Sequence, residues 1–182
     1  MIKKQETHMF TRETLAKAIV TRATLRGDFL LRSGTRSKIY FDKYLLESDP
    51  ELLKAISLAM VALLPSPFDA LAGLEMGGIP LATLLSQHTG KPCLFVRKKA
   101  KDYGTCKLAE GGDGKDRRLV IVEDVVTSGG AILDGVAELR KLGAHITDVV
   151  CIIDRESGGT ENLAKAGLTL RALYRKSELE SA

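Results

Sequence analysis

The sequence predicts a single α/β domain in which a central, mostly parallel sheet is flanked by helices. Three observations predict it. From residue 70 onward short apolar runs alternate with helical patterns, and each run is apolar on both faces. Strands buried between two helical layers read that way. The 182 residues, 45% apolar and 27% charged, suit one compact domain with a substantial core. No internal repeat and no low-complexity linker divides the chain.

The elements follow in order. Thr11 is the expected N-cap of a first helix, with Glu13 in its first turn and Leu15, Ala18, Ile19 and Leu25 along one side. Gly27 is its expected end. Strand-like runs over 28–32 and 38–42, joined by Ser33-Gly34-Thr35-Arg36-Ser37, predict a hairpin. Asp49-Pro50 supplies an N-cap and a first-turn proline for a helix that runs to Leu64, where Pro65 and Pro67 stop it. Strands are then expected over 70–74, 93–96, 119–122, 146–153 and 168–173, and helices over 79–88, 131–142 and 161–166. In such a sheet the ligand lies outside the carboxyl ends of the strands. The loops that matter are therefore 75–78, 97–118, 123–130 and 154–159.

Several functions are excluded by composition. The longest uncharged apolar run, 55–64, is too short to cross a bilayer, and the N-terminus lacks the apolar stretch of a secretory signal. A cytoplasmic protein that binds no membrane is expected. Cys93, Cys106 and Cys151, with His8, His88 and His145, show neither a CxxC pair nor ligand spacing, so they read as core or surface residues.

Charge is more informative. The net charge of +4 and the pI of about 9.0 could suggest nucleic acid. Yet residues 97–118 hold eight cations and four anions, and the remaining 160 residues carry 19 charges of each sign. A neutral body with one basic loop suits a small, highly anionic ligand, so no nucleic-acid partner is expected. That loop has 22 residues, four glycines and no helical or strand period, which predicts a functional lid.

The sharpest motif runs from Leu119 to Ala131. Four apolar residues deliver the adjacent acids Glu123 and Asp124, then Val125 and Val126, then Thr127-Ser128-Gly129-Gly130 at the start of a helix. Hydroxyls and open backbone N–H groups at a helix N-terminus form a phosphate cradle. Neither GxxxxGK[ST] nor GxGxxG occurs in the chain. Acids beside such a cradle suit a ligand with a phosphate and a ribose diol.

This segment resembles the phosphoribosyl-pyrophosphate (PRPP) motif of the type I phosphoribosyltransferases. Further matches narrow the resemblance to the orotate phosphoribosyltransferases: Phe29-Leu30-Leu31-Arg32-Ser33-Gly34 with Tyr40-Phe41-Asp42 resembles their hairpin. Gly73-Leu74-Glu75-Met76-Gly77-Gly78 resembles their pyrophosphate-side loop, and residues 97–105 their catalytic lid. Ile153-Asp154-Arg155-Glu156-Ser157-Gly158-Gly159 resembles their base loop. The matches run in order from Gly27 to Gly159.

The resemblance implies a type I phosphoribosyltransferase fold over residues 1–182, with an N-terminal hood over 1–45 and a mobile lid over 97–118. It implies transfer of ribose 5-phosphate from PRPP to orotate, giving orotidine 5′-monophosphate and pyrophosphate, a step of pyrimidine (UMP) biosynthesis. Mg²⁺ is the implied cofactor, held mainly through PRPP near Asp124, with no protein ligand assigned. A homodimer is implied in which Arg97, Lys101 and Tyr103 serve the partner's PRPP and Lys98 serves its own. Lys101, Glu123 and Asp124 are the implied catalytic residues. Val125, Val126, Thr127, Ser128, Gly129, Gly130 and Ala131 would wrap the PRPP phosphate, and Thr127, Arg155 and Arg32 would face orotate. Met76-Gly77 stands where many relatives have Tyr-Lys, and Tyr103 where many have His. The alternatives are a phosphoribosyltransferase for another nucleobase and a PRPP-binding regulatory protein on the same fold.

Overall fold

The computed structural model describes residues 10–30, 34–99 and 108–182. Helix α1 (Arg12–Ala23) leads into the hairpin β1 (Thr24–Leu30) and β2 (Arg36–Phe41), then α2 (Tyr44–Glu47) and α3 (Pro50–Met60). Next come β3 (Ala70–Leu74), α4 (Gly78–Thr89), β4 (Cys93–Val96), β5 (Ala109–Glu110) and β6 (Arg118–Val126). The chain finishes with α5 (Gly130–Lys141), β7 (His145–Asp154), α6 (Gly159–Lys165), β8 (Thr169–Arg175) and α7 (Lys176–Glu180).

The predicted N-caps are in place. Thr11 accepts from Thr14 N and receives Thr14 Oγ1 on its own N–H, a reciprocal box of about 1 kcal/mol. Asp49 accepts from Leu52 N ahead of Pro50.

Six strands form the main sheet in the order β5-β4-β3-β6-β7-β8. All its pairings are parallel except that of β5 with β4. The hairpin forms a separate two-stranded sheet. Alternation along β6 divides the core: Val120 and Val122 join the cluster of α1 to α4, whereas Leu119 and Ile121 join that of α5 and α6. Each such side chain contributes roughly 1.5–3 kcal/mol on burial. Strand order reverses between β3 and β6, so the crevice for a ligand lies at their carboxyl ends.

Several elements depart from expectation. Helix α1 stops at Ala23, and Gly27 lies inside β1 where the register shifts between Arg26 and Phe29. The glycine marks a bulge there, because a Cβ would sit 3.0 Å from the Phe29 ring. The basic loop is not structureless throughout, since β5 pairs Phe95 with Glu110 and Val96 with Ala109. A strand of two residues has no period to detect. The one-turn helices α2 and α7 are too short to betray themselves either. Finally, Arg118, counted among the cations of the basic loop, grips Asp69 with Nε at 3.0 Å and Nη2 at 2.8 Å.

Candidate active site

Strand β3 stops pairing with β6 at Val122, yet β6 continues along β7 to Val126. Residues 123–126 are therefore strand, where the sequence predicted a loop. The backbone there turns to its own acids: Asp124 N donates to Glu123 Oε1 at 3.0 Å, and Val125 N donates to Asp124 Oδ1 at 2.6 Å. Both acids are buried, Glu123 at 8% exposure and Asp124 at 0%. The expected placement of both acids in a loop over 123–130 is corrected by this packing.

What covers Asp124 comes from distant parts of the chain. Lys43, the residue preceding α2, places Nζ 2.5 Å from Asp124 Oδ2. Gly77 lies so close that a Cβ there would fall 1.8 Å from Asp124 Oδ2 and 2.6 Å from Glu47 Oε1. Gly78 is held as tightly against Val122 O. Glu47, Glu123, Asp124 and Lys43 thus form one cluster at the β3–β6 crevice. Burial pushes Glu123 up to about 9 and Glu47 up to about 8, with the Asp124 charge adding to both. Burial would raise Asp124 too, but hydrogen bonds from Glu123, Lys43 and Glu47 outweigh it and hold Asp124 below its ordinary value. Lys43 is raised despite its own burial by the bond to Asp124. Asp124 is the charged carboxyl of the cluster, paired with the Lys43 cation.

Beyond Val126 the predicted cradle forms. Thr127 and Ser128 are exposed, and Gly129 takes the left-handed conformation with φ of +79° ahead of the twelve-residue helix α5. Gly130 and Ala131, both exposed, open that helix, while Val125 is half-buried and Val126 buried. An anion can approach these N–H groups, where the helix dipole favours it. The base loop packs against this cradle: a Cβ on Gly159 would fall 2.4 Å from Thr127 O, and Asn162 Nδ2 donates to Ser128 O at 3.1 Å. Arg155 N donates to Val126 O at 2.9 Å, and the residue is exposed. Asp154 is buried and accepts from Glu156 N at 2.8 Å and from Thr160 Oγ1 at 2.9 Å.

The first described residues of the expected lid are also tied down. Arg97 N donates to Leu108 O at 2.9 Å, and Lys98 N donates to Glu75 Oε1 at 2.7 Å. Arg32, Lys101 and Tyr103 lie outside the described residues, as does the part of the expected lid over 100–107. The structure therefore brings Glu123, Asp124, the Thr127–Ala131 segment and Arg155 to one end of the sheet. Sequence reasoning missed Lys43 and Glu47, which carry no motif, and noted Gly77 for standing, with Met76, where many relatives have Tyr-Lys. The contact that requires Gly77 to be glycine spans 47 positions of sequence.

Among the described residues no three His, Cys, Asp or Glu groups could hold a metal ion. Mg²⁺ retains much of its water and is commonly bound through substrate phosphates with one or two carboxylates, so an ion carried in on a diphosphate fits these residues.

Sheet, cradle and base loop together define a phosphoribosyltransferase. The family model of the phosphoribosyl transferase domain matches residues 50–170, and the chain belongs to that family. The relatives it matches over nearly their whole length are orotate phosphoribosyltransferases. That of a Nocardioides species is 52% identical over 93% of this chain and 94% of its own. The crystal structure of the Mycobacterium tuberculosis orotate phosphoribosyltransferase with Fe(III) dicitrate superposes with a TM-score of 0.83, at 27% identity over 92% of this chain and 98% of that one. The same enzyme in complex with PRPP gives a TM-score of 0.80, at 25% identity over 93% and 98%. No helix among the described residues is long and apolar enough to cross a membrane.

Proposed function

We propose that the protein is an orotate phosphoribosyltransferase, transferring ribose 5-phosphate from PRPP to orotate with release of pyrophosphate. One observation carries the reading: the buried pair Glu123-Asp124 and the open Thr127–Gly130 cradle adjoin at the strand-order reversal, with Arg155 beside them. In the reaction the bond from the anomeric carbon to the pyrophosphate oxygen breaks, and a bond to the orotate ring nitrogen forms. The ring N–H proton leaves to solvent or to the departing pyrophosphate. Positive charge develops on the ribose, where an ionised Asp124 stabilises it and, with Glu123, accepts from the sugar hydroxyls. Thr127, Ser128, Gly129, Gly130 and Ala131 bind the 5′-phosphate, supported by Val125 and Val126. Arg155 and Thr127, with Arg32, face the anionic base, for which a planar guanidinium is suited.

The lid, residues 97–118, supplies the leaving-group cations and excludes water. Each charge-assisted bond from Arg97, Lys98, Lys101 or Tyr103 to the pyrophosphate is worth roughly 1.5–3 kcal/mol. Mg²⁺ on the diphosphate would supply further charge neutralisation. Residues 1–45 form the hood of a single domain, the lid is shared across a homodimer, and the enzyme works in the cytoplasm. The test is consumption of orotate by the pure protein given PRPP and Mg²⁺, against adenine, hypoxanthine and uracil. Faster turnover of any of these than of orotate would refute the assignment. Mixing Lys101→Ala with Asp124→Asn dimers under subunit exchange tests lid sharing, since only a shared site regains activity.

A further inference from the structure

Lys43 is fixed before any ligand arrives. Asp42 N donates to Ala23 O at 2.8 Å, Leu46 N donates to Lys43 O at 3.0 Å, and Leu46 is fully buried. From this anchored backbone the side chain, still 32% exposed, reaches inward to an Asp124 side chain that is 1% exposed. Its other neighbours are Asp42 on its own segment, the Tyr44 ring at 5.2 Å, Glu47 on α2 and Glu123 on β6.

Asp124 meets acceptors on two sides. The carboxyls of Glu47 and Glu123 stand beside it: one Cβ position on Gly77 falls 1.8 Å from Asp124 Oδ2 and 2.6 Å from Glu47 Oε1, and Glu123 Oε1 accepts from Asp124 N at 3.0 Å. Neighbouring carboxyl groups disfavour one another's charge, and the nearest cation decides which one keeps it. Lys43 alone among these neighbours is a cation. Asp124 is also held at both ends, Oδ1 by Val125 N and Oδ2 by Lys43. A carboxylate oxygen has a second lone pair, so an approaching hydroxyl can still be accepted.

We propose that Lys43 is a positioning residue of the active site, holding and orienting the carboxylate of Asp124 for the ribose of PRPP. The proposal rests on the functional reading above. Without Lys43, Asp124 would share its charge with Glu47 and Glu123 and lose both orientation and strength toward the developing positive charge. Lys43 thereby extends the sugar site to the segment that follows the hairpin, 81 positions before Asp124.

Steady-state kinetics of Lys43→Met, with PRPP and orotate varied in turn, tests this. Removing an outer partner that orients a carboxylate lowers kcat about 10- to 100-fold here, with KM for PRPP changed by no more than about threefold. Lys43→Arg recovers most of the loss. In the double variant Lys43→Met/Asp124→Asn the losses do not multiply, and its rate equals that of Asp124→Asn alone. Should Lys43→Met fail to fold, Lys43→Gln, which retains a donor without the charge, gives the same non-additivity. A wild-type kcat in a folded Lys43→Met, or losses that multiply in the double variant, overturns the role of Lys43 and leaves the function standing. Absence of orotate turnover in the unaltered protein overturns both.

Discussion

Two neighbouring strands of this sheet end alike and are held differently. Strands β6 and β7 each carry a buried aspartate near the carboxyl end, Asp124 and Asp154, and each leads through a left-handed glycine, Gly129 or Gly158, into a helix. Asp154 is satisfied by its own loop, from Glu156 N and Thr160 Oγ1. Asp124 takes one local N–H and then depends on Lys43, with Glu47 and Gly77 closing around it. A carboxylate consumed by its own turn builds a rigid loop. One balanced by a remote cation remains charged and oriented, available to chemistry. On the proposed function, Asp154 shapes the loop over 154–159 and Asp124 is the carboxylate left for the reaction.

The largest effect expected is that of Asp124→Asn, which lowers kcat/KM for PRPP by about 10²–10³-fold. Asp154→Asn is expected to cost about tenfold or less, since it disturbs a turn rather than a charge. Parallel kinetic assays of the two variants decide it, and equal losses would break the comparison. Next comes Gly77→Ala, whose Cβ must displace Asp124 or Glu47; a shift of this size lowers kcat about 10- to 100-fold. Gly158→Ala meets nothing closer than 4.0 Å and pays only for its φ of +83°, so about 1 kcal/mol of stability is lost with kcat retained. Thermal melts alongside kinetics separate these outcomes.

Thr160→Val sharpens the β7 side of the comparison. It removes one donor to Asp154, and denaturant titration should record a loss of about 1–2 kcal/mol. KM for orotate should rise by no more than about threefold, because one donor to Asp154 remains. The smallest effect is on pH dependence. Glu47 and Glu123, pushed up to about 8 and about 9, keep protons in the folded chain that the unfolded chain releases near 4.5. Their contribution is complete below that value and is lost as pH rises through 8 to 9. Tm should therefore fall on going from neutral pH to above about 9, and Glu47→Gln, which has no proton to lose, should flatten the fall. An unchanged slope in Glu47→Gln would show that this carboxyl is not protonated in the folded state.

The sequence by itself determined the parallel strands of the sheet, the Thr127–Gly130 turn and the loop over 154–159, because each is written in neighbouring residues. Val120 and Val122 alternate with Leu119 and Ile121 to face two helical layers, Asp49-Pro50 starts α3, and Thr127-Ser128-Gly129-Gly130 opens α5. Hydrogen bonds over one turn and a period of two or 3.6 need no tertiary knowledge. Only the tertiary structure decided where the charge of the site resides. Lys43 and Glu47 precede Asp124 by 81 and 77 positions and follow no spacing rule. Parallel pairing of β6 with β3 stops at Val122, which leaves Asp124 to be covered by whatever the β3–α4 loop and α2 bring there. Coulomb attraction depends on distance in space and on burial, and neither is recorded in the order of residues along the chain.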